Sequence, residues 1–304
     1  MSEYHTPVLL EESISALLGD LSGTYIDVTF GGGGHAAEIL SRLSPGGKLL
    51  AFDRDSDALG NRIDDPRLTL IHNNFRFIHN YVLALGCGSV DGIIADLGVS
   101  SHQFDTAGRG FSFRFDSPLD MRMNREGGRT AADIVNTASA EELERILRLY
   151  GEVDGARNVA RLIVSARDKE PIVTTGQLDA AIEKAIPRQA AHKSLARIYQ
   201  ALRIEVNQEM RSLEKMLQGA AESLKPGGRL VVITYHSLED RMVKNFIRTG
   251  NVDGREEKDI YGRIHAPLEA VGRKPVVPEE SEIAGNTRAR SAKLRVAVKK
   301  EEEA

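Results

Sequence analysis

Tyr25-Ile26-Asp27-Val28-Thr29-Phe30-Gly31-Gly32-Gly33-Gly34-His35 is the stretch whose reading decides the fold. Tyr25, Ile26 and Val28 favour extended backbone, so the run opens as a buried strand that Asp27 interrupts near its carboxyl end. Four glycines follow, and His35-Ala36-Ala37-Glu38-Ile39-Leu40 then opens a helix. A strand, a glycine turn and a helix N-terminus form the half-unit that binds nucleotide-like cofactors in open α/β sheets. Glycine supplies the positive φ of such a turn and lets a ligand approach the backbone closely. By itself the pattern, with Gly31, Gly33 and Ala36 as its fixed points, also fits a tight turn with no ligand.

The flanking sequence extends the reading. Lys48 to Asp53 is a second apolar strand closing on an acid, and Asp53 lies 20 positions after Gly33. An acid there reaches the hydroxyls of a ribose. Nicotinamide dinucleotides and S-adenosylmethionine (AdoMet) both present an adenosine ribose, so the cofactor stays open at this point. A third strand runs from Leu68 to Ile71, with Phe75 just beyond it. A fourth runs from Val90 to Asp96 and again ends in an acid. A fifth, Arg229 to Tyr235, feeds a helix starting at His236, with Ser237 and Asp240 as a capping pair; Leu294 to Val298 is a last strand. Strands alternating with helical stretches predict an α/β fold with a mostly parallel, doubly wound sheet, whose ligands gather at the carboxyl ends of the strands.

From Ala107 to Val206 the pattern is helical after an opening stretch rich in arginine and phenylalanine. Residues 107–206 are expected to form a helical insert, a substrate-recognition domain, within a discontinuous cofactor-binding domain of residues 1–106 and 207–304. A long helix from Ser194 through Leu217 is expected to lead back to the sheet.

Composition narrows the class. The 304 residues are 41% hydrophobic and 28% charged, which fits a globular protein with a sizeable core. No apolar run approaches the ~20 residues of a membrane span, and the first ten residues lack a signal-peptide pattern. Cys87 is the only cysteine, which excludes an intrachain disulfide. A cytoplasmic location fits these features, and no His/Asp spacing suggests a metal site. The net charge of −4 argues against a protein basic all over, but basic residues cluster locally. Six fall between Asn286 and Lys300 with no acid among them, and five arginines gather between Ala107 and Arg129 around Phe111, Phe113 and Phe115. Aromatic side chains among arginines suit RNA, whose bases stack on both.

Seven segments together carry a resemblance: T-F-G-G-G-G-H (Thr29–His35), D-R-D (Asp53–Asp55), D-L-G-V-S-S-x-Q (Asp96–Gln103), R-G-F-S-F (Arg109–Phe113), P-L-D-M-R-M (Pro118–Met123), the run Tyr235–Arg241, and R-A-R-S-A-K-L-R (Arg288–Arg295). In this order, over nearly the whole chain, they are similar to the MraW family of ribosomal RNA small-subunit methyltransferases. The resemblance implies a class I AdoMet-dependent methyltransferase fold with a helical insert. It implies methylation of N4 of cytidine 1402 in bacterial 16S rRNA, near the decoding site of the 30S subunit, and leaves a homodimer open. Carried over to matching positions, the AdoMet contacts would be Gly33, Gly34, His35, Asp53, Phe75, Asp96 and Gln103.

Many amino-methyltransferases follow the acid of strand four with Pro-Pro-aromatic; here Leu97-Gly98-Val99 takes that place. The base-stacking aromatic and second acceptor are therefore sought elsewhere, with Phe111, Phe113, Tyr235 and His236 as candidates. Asp96, Tyr235 and His236 are the expected catalytic residues. Arg109, Phe111, Phe113, Arg122, Arg241, Arg288, Arg290 and Arg295 are the expected substrate contacts. Two rival readings remain: an NAD-dependent oxidoreductase, weakened by the lack of an evident second substrate domain carrying a His-Asp or Tyr-Lys pair, and an RNA-binding or ribosome-assembly protein without catalysis.

Overall fold

A computed structural model describes residues 7–301 of the chain. They fold as two compact units, one running up to Gly98 and resuming at Met210, the other spanning Val99–Glu209. The helical unit thus opens at Val99 rather than Ala107, because the short helix after the fourth strand already belongs to it.

The first unit is built on seven strands among the described residues: β1 (Thr24–Asp27), β2 (Lys48–Asp53), β3 (Leu68–His72), β4 (Val90–Asp96), β5 (Leu224–Thr234), β6 (Leu268–Ala270) and β7 (Lys293–Lys299). Their spatial order is β3-β2-β1-β4-β5-β7-β6. The first five pair in parallel, and β7 runs antiparallel between β5 and β6. This is the class I methyltransferase arrangement, a Rossmann-like doubly wound sheet. The helices, in chain order, are α1 (Leu10–Leu17), α2 (Gly34–Arg42), α3 (Ile78–Ala84), α4 (Ser101–Asp105), α5 (Ala131–Thr137), α6 (Ala140–Gly151), α7 (Ala156–Arg167), α8 (Thr175–Ile182), α9 (Ala191–Asn207), α10 (Glu209–Ser223), α11 (Ser237–Thr249) and α12 (Glu280–Gly285).

Alternation along the strands divides the core. Ile26, Leu50, Phe52, Ile93, Leu230 and Val232 face α3, α10 and α11, through Ile78, Leu213, Leu217 and Val243. Tyr25, Leu49, Ala51, Ile94, Val231 and Ile233 face α1 and α2, through Ile14, Leu17, Ile39 and Leu40. Both faces being covered explains why these strands read as nearly continuous apolar runs. Removing both faces from water fixes the sheet, and the loops at its carboxyl edge inherit that rigidity.

The helical unit has its own core, in which Leu143, Ile146 and Leu147 of α6 meet Val159 and Ile163 of α7 and Ile198 and Leu202 of α9. The long helix expected from Ser194 to Leu217 is instead two helices. Gln208 between α9 and α10 has φ +49°, a left-handed conformation that ends a helix even where every residue is a good helix former. The side chain of Asn207 ties this end down. Its Oδ1 accepts from Met123 N–H at 2.9 Å, and its Nδ2 donates to the carbonyls of Met121 at 2.7 Å and Arg203 at 2.9 Å. Asn207→Ala strands buried backbone groups and is expected to destabilise the protein by about 2–4 kcal/mol, read as a lowered denaturation midpoint.

Candidate functional site

Asp27, Asp53 and Asp96 end β1, β2 and β4, three strands that are neighbours in the sheet. Parallel register sets all three acids at one edge, beside the glycine turn. That turn is fixed from both sides. Phe30 N–H donates to Phe52 O at 2.8 Å, and Gly33 N–H closes back on Phe30 O at 2.7 Å. Gly31 and Gly33 have φ of +51° and +79°, which side chains other than glycine rarely adopt. Gly33 is the N-cap of α2 and offers no capping side chain, so the first-turn amides of α2 are suited to an anionic ligand. Gly34 is required for a different reason: a Cβ there would lie 2.2 Å from Pro7 Cγ.

Asp53 holds the turn directly. Its Oδ2 accepts from Gly31 N–H at 2.8 Å, and its Oδ1 accepts from Asp55 N–H at 2.8 Å. Burial raises its pKa, and these two amides oppose the rise. Asn61 Nδ2 donates to Gly31 O at 3.0 Å, so the turn is gripped at both its amide and its carbonyl. Phe75 follows β3 in a 3-10 turn capped by Asn74 and packs, half-buried, against the core.

Asp96 is the centre of a polar cluster. Tyr235, just past β5, donates its hydroxyl to Asp96 Oδ1 at 2.7 Å. His35 Nδ1 lies 3.8 Å from Asp96 Oδ2, and Asp96 N–H donates to Thr29 Oγ1 at 2.7 Å. Burial pushes the Asp96 carboxyl up to about 7; the Tyr235 hydrogen bond works against this and the charge of Glu239 works with it. Burial together with Asp96 keeps Tyr235 well above the ordinary phenol range, so it remains a hydroxyl donor. Behind them Asp27 is buried, its Oδ1 accepting from Thr29 N–H at 2.9 Å while its Oδ2 has no hydrogen-bond partner among the described residues. Desolvation raises Asp27 to about 6, against the pull of His35. Burial lowers the pKa of His35, opposed by the charge of Asp27 and a backbone interaction with Val8, and its Nε2 makes no well-aligned hydrogen bond among the described residues. Buried polar atoms left without partners, next to a glycine turn, are what a polar ligand would satisfy. Asp27 and Thr29 were not expected to belong to this cluster; the signal for Asp27 was an acid inside an otherwise apolar strand.

The remaining expected residues fall in varied places. Gln103 lies in the helical unit, where its Oε1 accepts from Ser100 N–H at 3.1 Å in the capping box of α4. Arg109 is 2% exposed and donates through Nη2 to the carbonyls of Arg122 and Met123, both at 3.1 Å. Phe111 is 4% exposed in the core of the same unit. Phe113 packs edge-on against His192 and Tyr199. Arg122 is held by both oxygens of Asp120, at 2.8 and 2.9 Å. Arg295 Nε donates to Asp240 Oδ1 at 2.7 Å, which removes Asp240 from the capping role expected for it. The cap of α11 is His236, not Ser237, paired with Glu239. Arg288 is half-buried in the turn before β7, and Arg241 and Arg290 are exposed. Interior or ion-paired positions suit Arg109, Phe111, Arg122 and Arg295 to holding the fold rather than to meeting a substrate.

Comparison with known proteins follows the same lines. The model of the MraW methylase family matches residues 2–300. A ribosomal RNA small subunit methyltransferase H from Bacteroides fragilis (strain ATCC 25285) is 56% identical over 297 residues, covering 98% of each chain. The protein of that name from Bacteroides thetaiotaomicron is 55% identical over the same length and coverage, and that from Flavobacterium johnsoniae 52%.

Proposed function

This chain belongs to the MraW methylase family, enzymes that methylate ribosomal RNA with AdoMet as methyl donor, and we propose that its acceptor is N4 of cytidine 1402 in bacterial 16S rRNA, near the decoding site of the 30S subunit. The observation that supports an amine as the acceptor is the Asp96–Tyr235 pair beside the glycine turn, at the carboxyl edge of the sheet.

The residues present fit the donor. Gly33 and Gly34, opening α2, would hold its carboxylate; Asp53 would accept from the ribose hydroxyls; Phe75 would pack on the adenine; and the unsatisfied atoms of Asp27 and His35 lie beside the turn. Bound there, AdoMet supplies a methyl group on a positively charged sulfur.

The chain's residues would then act on the acceptor. The lone pair of a cytosine amine is delocalised into the ring, so the amine is a weak nucleophile. Asp96 accepts one of its N–H groups and turns the lone pair out of the ring system. The surplus proton that N4 carries once methylated would pass to the Asp96 carboxylate. A carboxyl with a pKa of about 7 can take that proton and release it to solvent near neutral pH. Tyr235 keeps Asp96 oriented and is assigned as the aromatic side chain that meets the base. His236 is assigned to support of the α11 start rather than to proton transfer. The helical unit is assigned to rRNA recognition, together with the exposed Arg241 and Arg290. Among the described residues no helix is long and apolar enough to cross a membrane, and we place the reaction in the cytoplasm.

Tritiated-methyl transfer to 30S subunits and to free 16S rRNA, followed by mass spectrometry of the nucleosides, tests the reading. N4-methylcytidine at one site is the expected product; label on ring carbon, or none, would sink it. Binding of rRNA is expected to weaken at least about tenfold between 50 and 200 mM salt, as phosphate contacts require. A flat response would remove the arginines from the interface.

A further inference from the structure

We infer that Glu239 is a positioning residue for methyl transfer, a buried carboxylate that fixes the turn from which Tyr235 reaches Asp96. The inference rests on the role proposed above for Asp96.

Glu239 is 3% exposed, one turn into α11, and its carboxylate points back over the helix start. Its Oε2 accepts from Tyr235 N–H at 2.9 Å and from His236 N–H at 3.3 Å. Its Oε1 lies 3.1 Å from His236 Nε2, while its own N–H donates to His236 Nδ1 at 3.4 Å. One side chain therefore grips the backbone of both residues between β5 and α11. A buried carboxylate is costly to desolvate and persists where charge-assisted hydrogen bonds compensate it. Holding both amides fixes Tyr235, whose hydroxyl sits 2.7 Å from Asp96 Oδ1. Gly98, whose φ of +97° favours glycine, lies against that ring: a Cβ there would stand in ordinary contact, 3.4 Å from Tyr235 Cδ2.

Glu239 acts on Asp96 by a second route. The groups facing Asp96 are Tyr235 after β5, His35 on α2, Asp27 on β1 and Glu239 on α11, while Glu282 of α12 bears on Tyr235. Among the charges, Glu239 favours the protonated form of Asp96.

The test compares Glu239→Ala and Glu239→Gln in the full-length enzyme, with Asp96→Asn alongside, using methyl transfer to rRNA and calorimetry with AdoMet. Glu239→Ala is expected to lower kcat about 10–100-fold through a misplaced Tyr235, with AdoMet Kd within about threefold of the parent. Glu239→Gln keeps an acceptor for the two amides and is expected to restore most of kcat. Its acidic limb in kcat/KM is expected at lower pH than the parent's, because the charge that raised Asp96 is gone. A purely structural cap would not move that limb, so the glutamine variant decides the matter even where the alanine variant fails to fold. Parental kcat in Glu239→Ala, or an unmoved limb in Glu239→Gln, overturns the inference while Asp96→Asn remains impaired. Near-normal turnover in Asp96→Asn instead overturns the reading of Asp96 beneath it.

Discussion

Asp96→Asn is expected to lower kcat by about 10²–10³-fold, the range that an oriented proton acceptor contributes. Asparagine has the same shape and can still accept from the Tyr235 hydroxyl, so the cluster should survive. It cannot take a proton from N4. The pH dependence gives a second reading. Burial raises Asp96 to about 7, and the form active in the proposed role is the carboxylate. In the parent enzyme kcat/KM should therefore climb as pH rises through about 7 and level off above it. In Asp96→Asn that limb should vanish, leaving a low rate independent of pH in this window. Turnover near the parental value, with the limb intact, would assign the proton to another acceptor.

The parts of this site that could be read in the sequence are those where chemistry is local. An apolar strand that stops at an acid, followed by glycines and a helix start, is visible in eleven consecutive residues, Tyr25 to His35. Asp53 and Asp96 repeat the same strand-then-acid pattern, and the mostly parallel, doubly wound character of the sheet follows from alternation of strands and helices. What could not be read depends on partners distant in the chain. Arg109 looked like an RNA-binding arginine because its partners, the carbonyls of Arg122 and Met123, carry no side-chain signal. Arg295 looked like part of a free basic run because Asp240 lies 55 residues away in sequence. The α11 cap was misread because serine is the commoner capping residue and histidine a rare one. The break at Gln208 left no trace because glutamine favours helix, and only the tertiary ties of Asn207 overrule it.

Asp53→Ala should separate binding from chemistry in the opposite sense to Asp96→Asn. The proposed ribose contact joins two contacts already made by this carboxylate, to Gly31 N–H and Asp55 N–H, both at 2.8 Å. Alanine removes the acceptor for the ribose and releases the glycine turn at the same stroke. Charge-assisted hydrogen bonds contribute roughly 1.5–3 kcal/mol each, so AdoMet Kd is expected to rise about 10²–10³-fold by calorimetry. At saturating AdoMet kcat should recover much of its parental value, because Asp53 makes no contact with the acceptor cluster among the interactions described. Asparagine should not rescue binding. Both oxygens of Asp53 already face an N–H donor, so an amide nitrogen in either place sets donor against donor. A glutamate would carry two acceptors but displace them by a methylene, into a turn fixed by Phe30, Asn61 and the positive φ of Gly31. The carboxylate at exactly this reach from the strand is thus expected to be the least replaceable feature of cofactor binding. Parental Kd in both Asp53→Ala and Asp53→Asn would move the ribose to another acceptor.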